Sequence, residues 1–192
     1  MTTDNDVLRR LPVLETSRLI LRKVRPDDLH AVHAYASDPA VTEHLVWEPH
    51  RTMDETRRSI GETVRRYEDG QLAPWAIQLH DGARMIGTCG FVVWYRHDAR
   101  AEIAYVVARP YWGRGYATEA VRAVVDFGFA QMGLNRIEGR CMVENAASSR
   151  VMEKAGMRYE GTMRQQILAK GRFRDVKLYA ILREDRSGWA HR

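Results

Sequence analysis

The sequence predicts an α/β protein of the α+β type, in which a mixed, mostly antiparallel sheet of about seven strands is flanked by about four helices. Strand-like runs joined by short turns lie both before and after the centre of the chain, which is typical of antiparallel hairpins. One strand–helix–strand–helix unit lies between them. This order does not fit a doubly wound parallel sheet, in which strands and helices alternate throughout.

The first third of the chain predicts one strand and two helices. Leu19 and Leu21 alternate with other side chains in "TSRLILRKVRP", which indicates a strand. Pro26 opens a short helix over "DDLHAVHAYASD". Thr52 and Glu55 form a capping box for a second helix, "MDETRRSIGETVRRYEDG", which is expected to end at Gly70.

The remaining elements follow in order. "APWAIQLH" and "RMIGTCGFVVWY" predict a hairpin around "DGA", and "AEIAYVV" predicts the next strand. A long amphipathic helix is expected from about Tyr116 to Met132. "NRIEGRCMVEN" predicts a strand, "AASSRVMEKAG" a short helix ending at Gly156, and the segment around "AKGRF" a final hairpin. The aromatic residues of the first hairpin that are expected in the core are Trp75, Trp94 and Tyr95.

Length and composition favour one soluble domain. The 192 residues suit a single domain over 1–192, with a core of about 14–184 and flexible tails. No run is long and apolar enough to span a membrane, and the N-terminus lacks a signal-peptide core, so a cytoplasmic location is expected. Cys89 and Cys141 lie far apart without CxxC spacing, so they are expected to be buried free thiols, and no metal site is expected.

The charge balance gives a weaker indication about partners. The net charge is +5, but the cations are spread along the chain and form no polybasic tail, so no nucleic-acid partner is expected. A modest positive excess favours anionic small molecules or acidic partners.

A glycine-rich turn, "WGRGYATEA", separates a predicted strand from the long helix. Gly113 and Gly115 allow the backbone to turn closely, and the start of a helix presents unpaired N–H groups with a partial positive charge. Arg114 adds a charge and Thr118 a hydroxyl. The turn therefore predicts a phosphate site. The alternative is a tight connection in which the glycines only permit a positive φ.

Known phosphate-binding motifs limit which phosphate-containing ligand the turn can bind. The chain contains no GxxxxGK[ST] motif for a nucleoside triphosphate. A dinucleotide fingerprint matches in part, with Thr118 at its third glycine position and Glu138 twenty residues further on. However, that fingerprint normally opens a βαβ unit, whereas this turn lies in mid-chain after antiparallel strands. A nicotinamide-dependent oxidoreductase is therefore the less favoured alternative.

Three ordered motifs resemble the GNAT superfamily of acyl-CoA N-acyltransferases, and in detail its RimJ/RimL-type branch. These motifs are "TSRLILR", "WGRGYATEA" and "ENAASSRVMEKAG". The family's turn motif begins with Gln or Arg where this chain has Pro110. The resemblance implies the GNAT fold, an acetyl-CoA-dependent N-acetyltransferase and acetyl-CoA as co-substrate. It also implies that the strand edge at Val106 and Val107 pairs with the pantetheine arm. The turn residues whose amides it implies around the pyrophosphate are Trp112, Gly113, Arg114, Gly115, Tyr116, Ala117 and Thr118.

Acyl transfer to an amine needs a proton acceptor for the amine and a stabilised leaving thiolate. Glu102 lies on the strand before the turn, where the family often places its base, and it is the candidate. An exposed carboxylate that balances Arg100 is the alternative, and His97 is a rival base.

The leaving-thiolate side of the reaction has a second candidate. Many relatives place a tyrosine seven residues after the asparagine of the third motif, but here that position is Met152. The RimJ/RimL-type pattern implies that Ser148 lies near the sulfur and donates to it. Asn145 is expected to bind the coenzyme, to cap the next helix, or to do both.

The acceptor is expected to be an amine, either a peptide N-terminus or a small molecule, and the family also suggests a possible homodimer. In the family the first two helices and the last hairpin line the acceptor pocket. Within them Trp47 is the candidate apolar wall and Glu48 the candidate amine ligand. A non-catalytic acyl-CoA-binding or regulatory module on the same fold is the alternative function.

Overall fold

One mixed sheet forms the centre of the computed structural model, which describes residues 8–80, 82 and 84–188. Eight strands follow the order β1-β2-β3-β4-β5-β6-β8-β7. All neighbours are antiparallel except β5 and β6, which are parallel. The strands are β1 (Leu14–Glu15), β2 (Leu19–Lys23), β3 (Trp75–Leu79), β4 (Met85–Tyr95), β5 (Arg100–Val107), β6 (Arg136–Met142), β7 (Arg158–Ala169) and β8 (Arg172–Leu182). The predicted sheet is confirmed, with the two-residue β1 as the strand that the sequence did not indicate.

Helices cover both faces of the sheet. They are α1 (Leu29–Ala36), α2 (Pro39–Thr42), α3 (Met53–Glu68), α4 (Tyr116–Gln131) and α5 (Ala146–Lys154). Helices α1 and α3 pack together, with α1 on β4, whereas α4 packs on β2, β4 and β5, and α5 packs on β6, β7 and β8. A Cβ at Gly128 of α4 would meet Phe91 and Ile137, and one at Gly139 would meet Met152 of α5. Therefore α4 and α5 lie on the same face of the sheet, the one to which the side chains of Phe91 and Ile137 point.

The predicted helices are confirmed with small shifts. Thr52 caps α3 by accepting from the Glu55 N–H at 3.2 Å, while the Glu55 carboxylate accepts from the Arg51 N–H at 2.7 Å. Helix α2 was not predicted, and it is capped by the preceding residue, Asp38, whose side chain accepts from the Ala40 N–H at 2.9 Å. The "DGA" turn lies outside the described residues at positions 81 and 83.

The core contains most of the residues expected there. The apolar face of α4 is fully buried, and Trp75 is 1% exposed with its indole N–H donating to the Pro12 carbonyl at 2.8 Å. Cys89 and Cys141 are buried free thiols, as predicted. The prediction for Tyr95 is wrong: the side chain is 41% exposed, and the Arg100 guanidinium stacks 3.9 Å from the ring centroid.

A gap opens in the middle of the sheet. Strands β5 and β6 are paired only from Arg100 with Arg136 to Ile103 with Gly139, and they separate beyond. We call the space between positions 104–107 and 140–142 the β5–β6 gap. The glycine turn follows β5 and helix α5 follows β6, so both lie at the end of the sheet where the gap opens.

Candidate active site

The glycine turn presents a row of free backbone donors, which we call the amide cradle (residues 113–118). Gly113 and Gly115 have φ of 74° and 81°, which favours glycine. The first helical bond of α4 runs from the Glu119 N–H to the Gly115 carbonyl at 3.1 Å. Helix geometry leaves the preceding N–H groups without an acceptor inside the helix. They lie at an exposed to half-buried helix start, which suits an anion.

A polar network ties the cradle to the turn between β1 and β2, and we call it the Glu119 clamp (Thr16, Ser17, Arg18 and Glu119). One carboxylate oxygen of Glu119 accepts from the Thr16 hydroxyl at 2.6 Å, the Ser17 hydroxyl at 3.1 Å and the Arg18 N–H at 2.9 Å. The other accepts from Arg18 Nε at 2.6 Å. The clamp therefore joins the first and second sequence motifs, a contact that sequence reasoning missed.

Arg18 also touches the cradle itself. Its Nη1 donates to the Arg114 carbonyl at 3.0 Å, and its guanidinium lies 4.8 Å from the centroid of the Tyr116 ring. Because the Arg114 carbonyl belongs to the same peptide unit as the Gly115 N–H, this bond fixes the direction of a cradle donor. The clamp thus preorganises the anion site.

The Glu119→Gln variant is expected to lower the free energy of unfolding at pH 7 by about 2 kcal/mol, since charge-assisted bonds are lost. Burial acts to raise the pKa of Glu119, but hydrogen bonds from Thr16, Arg18 and Ser17 outweigh it and lower the pKa below 4.5. The stabilisation is therefore present above pH 4.5 and lost as the pH falls through the lowered pKa. Denaturant titrations of both proteins between pH 7 and pH 3 measure this, and a constant difference would contradict it.

The backbone of β5 presents alternate groups to the gap. The Ala108 N–H donates to the Ile86 carbonyl at 2.8 Å, which marks these two as a hydrogen-bonded pair of β4 and β5. In an antiparallel ladder such pairs alternate, so Val106 pairs with β4 while Tyr105 and Val107 direct their groups to the gap. The Val107 carbonyl accepts from the Trp112 indole at 2.6 Å. The N–H of Val107 and both backbone groups of Tyr105 remain directed at the gap, whereas the backbone groups of Val106 are directed at β4.

Ser148 lies on the face covered by α4 and α5, with Tyr105 beside it. Asn145 caps α5 as predicted, accepting from the Ser148 N–H at 2.9 Å. The Tyr105 hydroxyl lies 2.7 Å from Ser148 Oγ and donates to the Ser148 carbonyl at 3.0 Å. Burial raises the pKa of Tyr105 well above its usual value, so the phenol stays protonated. Tyr105 was missed because the sequence gives no sign that β5 and α5 meet.

Glu102 lies on the opposite face of the sheet from Ser148. Its carboxylate is held by the Arg140 guanidinium in a bidentate ion pair, with Nε 2.9 Å from Oε1. The expected alternative partner, Arg100, instead binds Glu138 at 2.9 Å. His97 is exposed in the turn before β5, at the end of that strand away from the gap. The two predicted catalytic residues thus lie on opposite sides of one sheet.

The family follows from a comparison with known proteins. Residues 18–158 match the model described as the Acetyltransferase (GNAT) domain. The chain belongs to the GNAT family. The match covers the strand motif from Arg18 onward, the cradle and helix α5, and it makes the protein an N-acetyltransferase with the GNAT fold.

Individual relatives agree with this assignment. The chain is 34% identical over 178 residues to the uncharacterized N-acetyltransferase p20 of Bacillus licheniformis. The aligned region spans 93% of this chain and 100% of the relative. A crystal structure of a GNAT-family acetyltransferase from Bacillus anthracis superposes with a TM-score of 0.80 at 33% identity, covering 90% of this chain and 99% of that one. The fold alone is also shared with the ribosomal L7/L12 α-N-protein acetyltransferase RimL, solved with coenzyme A, at a TM-score of 0.78 and 22% identity, covering 89% of this chain and 98% of that one.

The loop between α2 and α3 carries the two predicted acceptor residues of this GNAT protein. The Trp47 ring is half-buried 5.5 Å from the His50 ring, and Glu48 is exposed. Two contacts anchor the segment before the loop: Asp38 binds Arg109 at 3.0 Å, and the Thr42 carbonyl accepts from Lys170 at 2.8 Å. The loop therefore starts between the glycine turn and the β7–β8 hairpin, beside the gap.

A groove of about 1100 Å³ extends the anion site along α4. It begins at Gly115 and Thr118. Its lining carries both signs of charge: the cations are Arg18, Arg122, Lys154 and Arg186, and the acids are Glu15, Glu119, Asp126 and Glu153. In the described part of the chain, no group of three or more His, Cys, Asp or Glu side chains is placed to hold a metal ion. Nor does any helix within these ranges have the length and apolarity needed to cross a membrane.

Proposed function

We propose that the protein transfers the acetyl group of acetyl-coenzyme A to a primary amine, on a protein N-terminus or a small molecule, by direct attack while both substrates are bound. The β5–β6 gap carries this proposal. It opens between the amide cradle and Ser148, and it has Glu102 on its other face. An amine and a thioester can therefore approach each other from opposite sides of the sheet.

The residues present fit coenzyme A. The free N–H groups of the cradle suit a pyrophosphate, because a helix start with converging amides favours an anion. The backbone groups of Tyr105 and Val107 that point to the gap suit the amides of a pantetheine arm, as an added strand would. The half-buried helix cap, Asn145, lies at the same end. The bound coenzyme supplies the acetyl group as a thioester.

On the acceptor face, Glu102 attracts the amine and takes its proton through a water. An alkyl amine has a pKa of about 10 and arrives mostly charged at neutral pH. Arg140 holds the carboxylate in one orientation, which preorganises it toward the gap-side substrate. A water between carboxylate and amine lets the paired carboxylate act without breaking the ion pair. The Tyr105 N–H, which is also directed at the gap and lies farther from the cradle than that of Val107, would polarise the thioester carbonyl.

On the other face, Ser148 donates to the leaving sulfur. The Tyr105 hydroxyl fixes the serine from behind through its contacts with Ser148 Oγ and the Ser148 carbonyl. Because Tyr105 stays protonated, it acts as a positioning residue, and solvent restores the serine proton. Met152, at the position where many relatives carry tyrosine, is 1% exposed and belongs to the core against Gly139.

Glu102→Gln is expected to lower kcat about 10- to 100-fold with little change in coenzyme affinity, because the amine loses its proton acceptor. The matched control is Glu138→Gln, which removes an ion-paired carboxylate from the same face of the neighbouring strand. Steady-state kinetics over a pH series checks this. Equal losses in the two variants would contradict a base role for Glu102.

Calorimetry with coenzyme A and with NAD tests the proposal itself. We expect coenzyme A to bind and to raise the melting temperature, and NAD to do neither. Tight NAD binding without coenzyme A binding would overturn the proposal. Coenzyme A binding with no turnover of any amine would instead indicate a non-catalytic acyl-CoA-binding module.

A further inference from the structure

Arg174 of β8 has an unmet hydrogen-bonding group. Its Nε is buried and donates to no partner, and among the described residues it is the one buried side-chain nitrogen or oxygen in that state. The nearest acid is Glu144, whose carboxylate oxygen lies 3.9 Å from Arg174 Nη1 and is largely exposed. Buried polar groups without partners are rare in native proteins and costly, more so on a charged side chain. The under-satisfied guanidinium therefore points to an anionic partner, which would reach it through its Nη groups, because the side chain is 35% exposed while Nε is enclosed.

The sheet register places Arg174 on the acceptor face. Val176 is paired with Met142, and Leu178 with Arg140, so these side chains lie on the face that carries Glu102. Arg174 follows the same alternation two residues before Val176. The neighbouring Asp175 carbonyl accepts from the Val143 N–H at 3.2 Å, so Arg174 lies level with the end of β6, just before α5. It therefore flanks the open end of the β5–β6 gap.

The hairpin around Arg174 is strongly basic. Between positions 163 and 177 the cations are Arg164, Lys170, Arg172, Arg174 and Lys177, and the one acid is Asp175. The Asp175 carboxylate is already used, since it accepts from the Gln165 N–H at 2.8 Å. Such a surface attracts anions and repels polycations.

The acids nearby on the sheet face do not offset this charge. Glu102 is paired with Arg140, and Glu138 is paired with Arg100 and Arg136. The exposed Glu43 and Glu48 lie on the α2–α3 loop, which starts at the Thr42 carbonyl that accepts from Lys170 of the hairpin. The acceptor region is therefore bipolar, with acids available on the loop and cations on the hairpin.

We propose that Arg174 binds a carboxylate of the acceptor, so that the preferred substrate is an amine that also carries carboxylates. The inference rests on the proposed function and narrows its acceptor class. The amine lies on the Glu102 side and the carboxylate on the β7–β8 hairpin. An acidic peptide N-terminus and a free amino dicarboxylate share this chemistry. Polyamines and aminoglycosides carry only cations and are poor acceptors.

The test compares kcat/KM across matched acceptors. Short peptides with the same N-terminal residue carry, in the next two positions, aspartates, asparagines or lysines, and free glutamate and spermidine are added. We expect the aspartate peptide to exceed the asparagine peptide about 10- to 100-fold, because a charge-assisted bond is made only with the carboxylate. The lysine peptide and spermidine are expected to be slowest. The kcat/KM values of the aspartate peptide and of free glutamate show which of the two carboxylate-bearing amines, an acidic peptide N-terminus or a free amino dicarboxylate, is the better acceptor.

Variants locate the effect. Arg174→Gln is expected to raise KM for the aspartate peptide about tenfold or more, with kcat and coenzyme-induced thermal stabilisation unchanged. Arg174→Lys should restore part of the preference. The control is Arg172→Gln, which removes the same charge from an exposed position of the same hairpin.

Three outcomes would overturn the inference: equal kcat/KM for aspartate and asparagine peptides, a preference for spermidine, or an equal loss in Arg172→Gln. These results differ from a failure of the proposed function, in which no amine at all is acetylated.

Discussion

Gly115→Asp is expected to abolish coenzyme A binding, with a loss of affinity of at least ~100-fold, since several charge-assisted bonds are replaced by repulsion. Position 115 has φ of 81°, and an added Cβ would lie 3.3 Å from Arg18 Nη2. The new carboxylate would stand in the amide cradle, where it takes the place of the anion. Calorimetric titration with coenzyme A measures the loss.

The control for this experiment is Gly133→Asp. Gly133 also has a positive φ, of 65°, but has open space around it and lies at the far end of α4. Both variants pay a backbone cost of about 1–2 kcal/mol. Only Gly115→Asp should lose the coenzyme. Retained binding in Gly115→Asp would show that the pyrophosphate does not lie in the cradle.

Ser148→Ala is expected to lower kcat about 100-fold while coenzyme affinity changes less than about threefold. This is the lower end of what a positioned acid contributes, because a coenzyme thiol is itself moderately acidic. Tyr105→Phe should have a smaller effect of the same kind, since it removes the contact that orients the serine. Single-turnover kinetics with acetyl-coenzyme A and an accepted amine measures both.

The double variant distinguishes a joint role from two separate ones. If Tyr105 acts only through Ser148, then Tyr105→Phe in a Ser148→Ala background should cost little more. Additive losses would contradict positioning and assign Tyr105 its own step. Unchanged turnover in Ser148→Ala would show that Ser148 has no part in the reaction and serves only in the N-terminal cap of α5.

Local features of the site could be predicted from the sequence. The amide cradle rests on glycines and a helix start that are neighbours along the chain. The Asn145 cap is likewise a contact over three residues, with Asn145 Oδ1 accepting from the Ser148 N–H. Such features depend on short-range backbone geometry, which the residue types largely determine.

Contacts between distant segments could not be predicted. Thr16 and Glu119 lie 103 positions apart, and Tyr105 and Ser148 lie 43 apart. Each pair meets only because the sheet order brings its elements together. The ion-pair partner of Glu102 could not be predicted for the same reason. Arg100 lies close to Glu102 in the sequence, but the pairing of β5 with β6 brings Arg140 to it instead. Residue types suggested that Glu102 and Ser148 matter, and the sheet topology decided which side chains they contact.

Edge effects account for the remaining differences. Tyr95 follows an apolar run that predicts burial, yet it is the last residue of β4, where the sheet ends and Arg100 covers the ring. Strand β1 has two residues, too few for an alternating pattern to show. Both cases depend on where the sheet stops.

The central claim is that the β5–β6 gap is where an amine takes the acetyl group from acetyl-coenzyme A. The most direct measurement incubates the protein with acetyl-coenzyme A and each of the acceptors named above (the three peptides, free glutamate and spermidine), and follows free thiol and acetylated acceptor together. We predict equal amounts of both products with at least one amine, and neither above background in Gly115→Asp. Release of thiol without an acetylated acceptor, or full activity in Gly115→Asp, would contradict the claim.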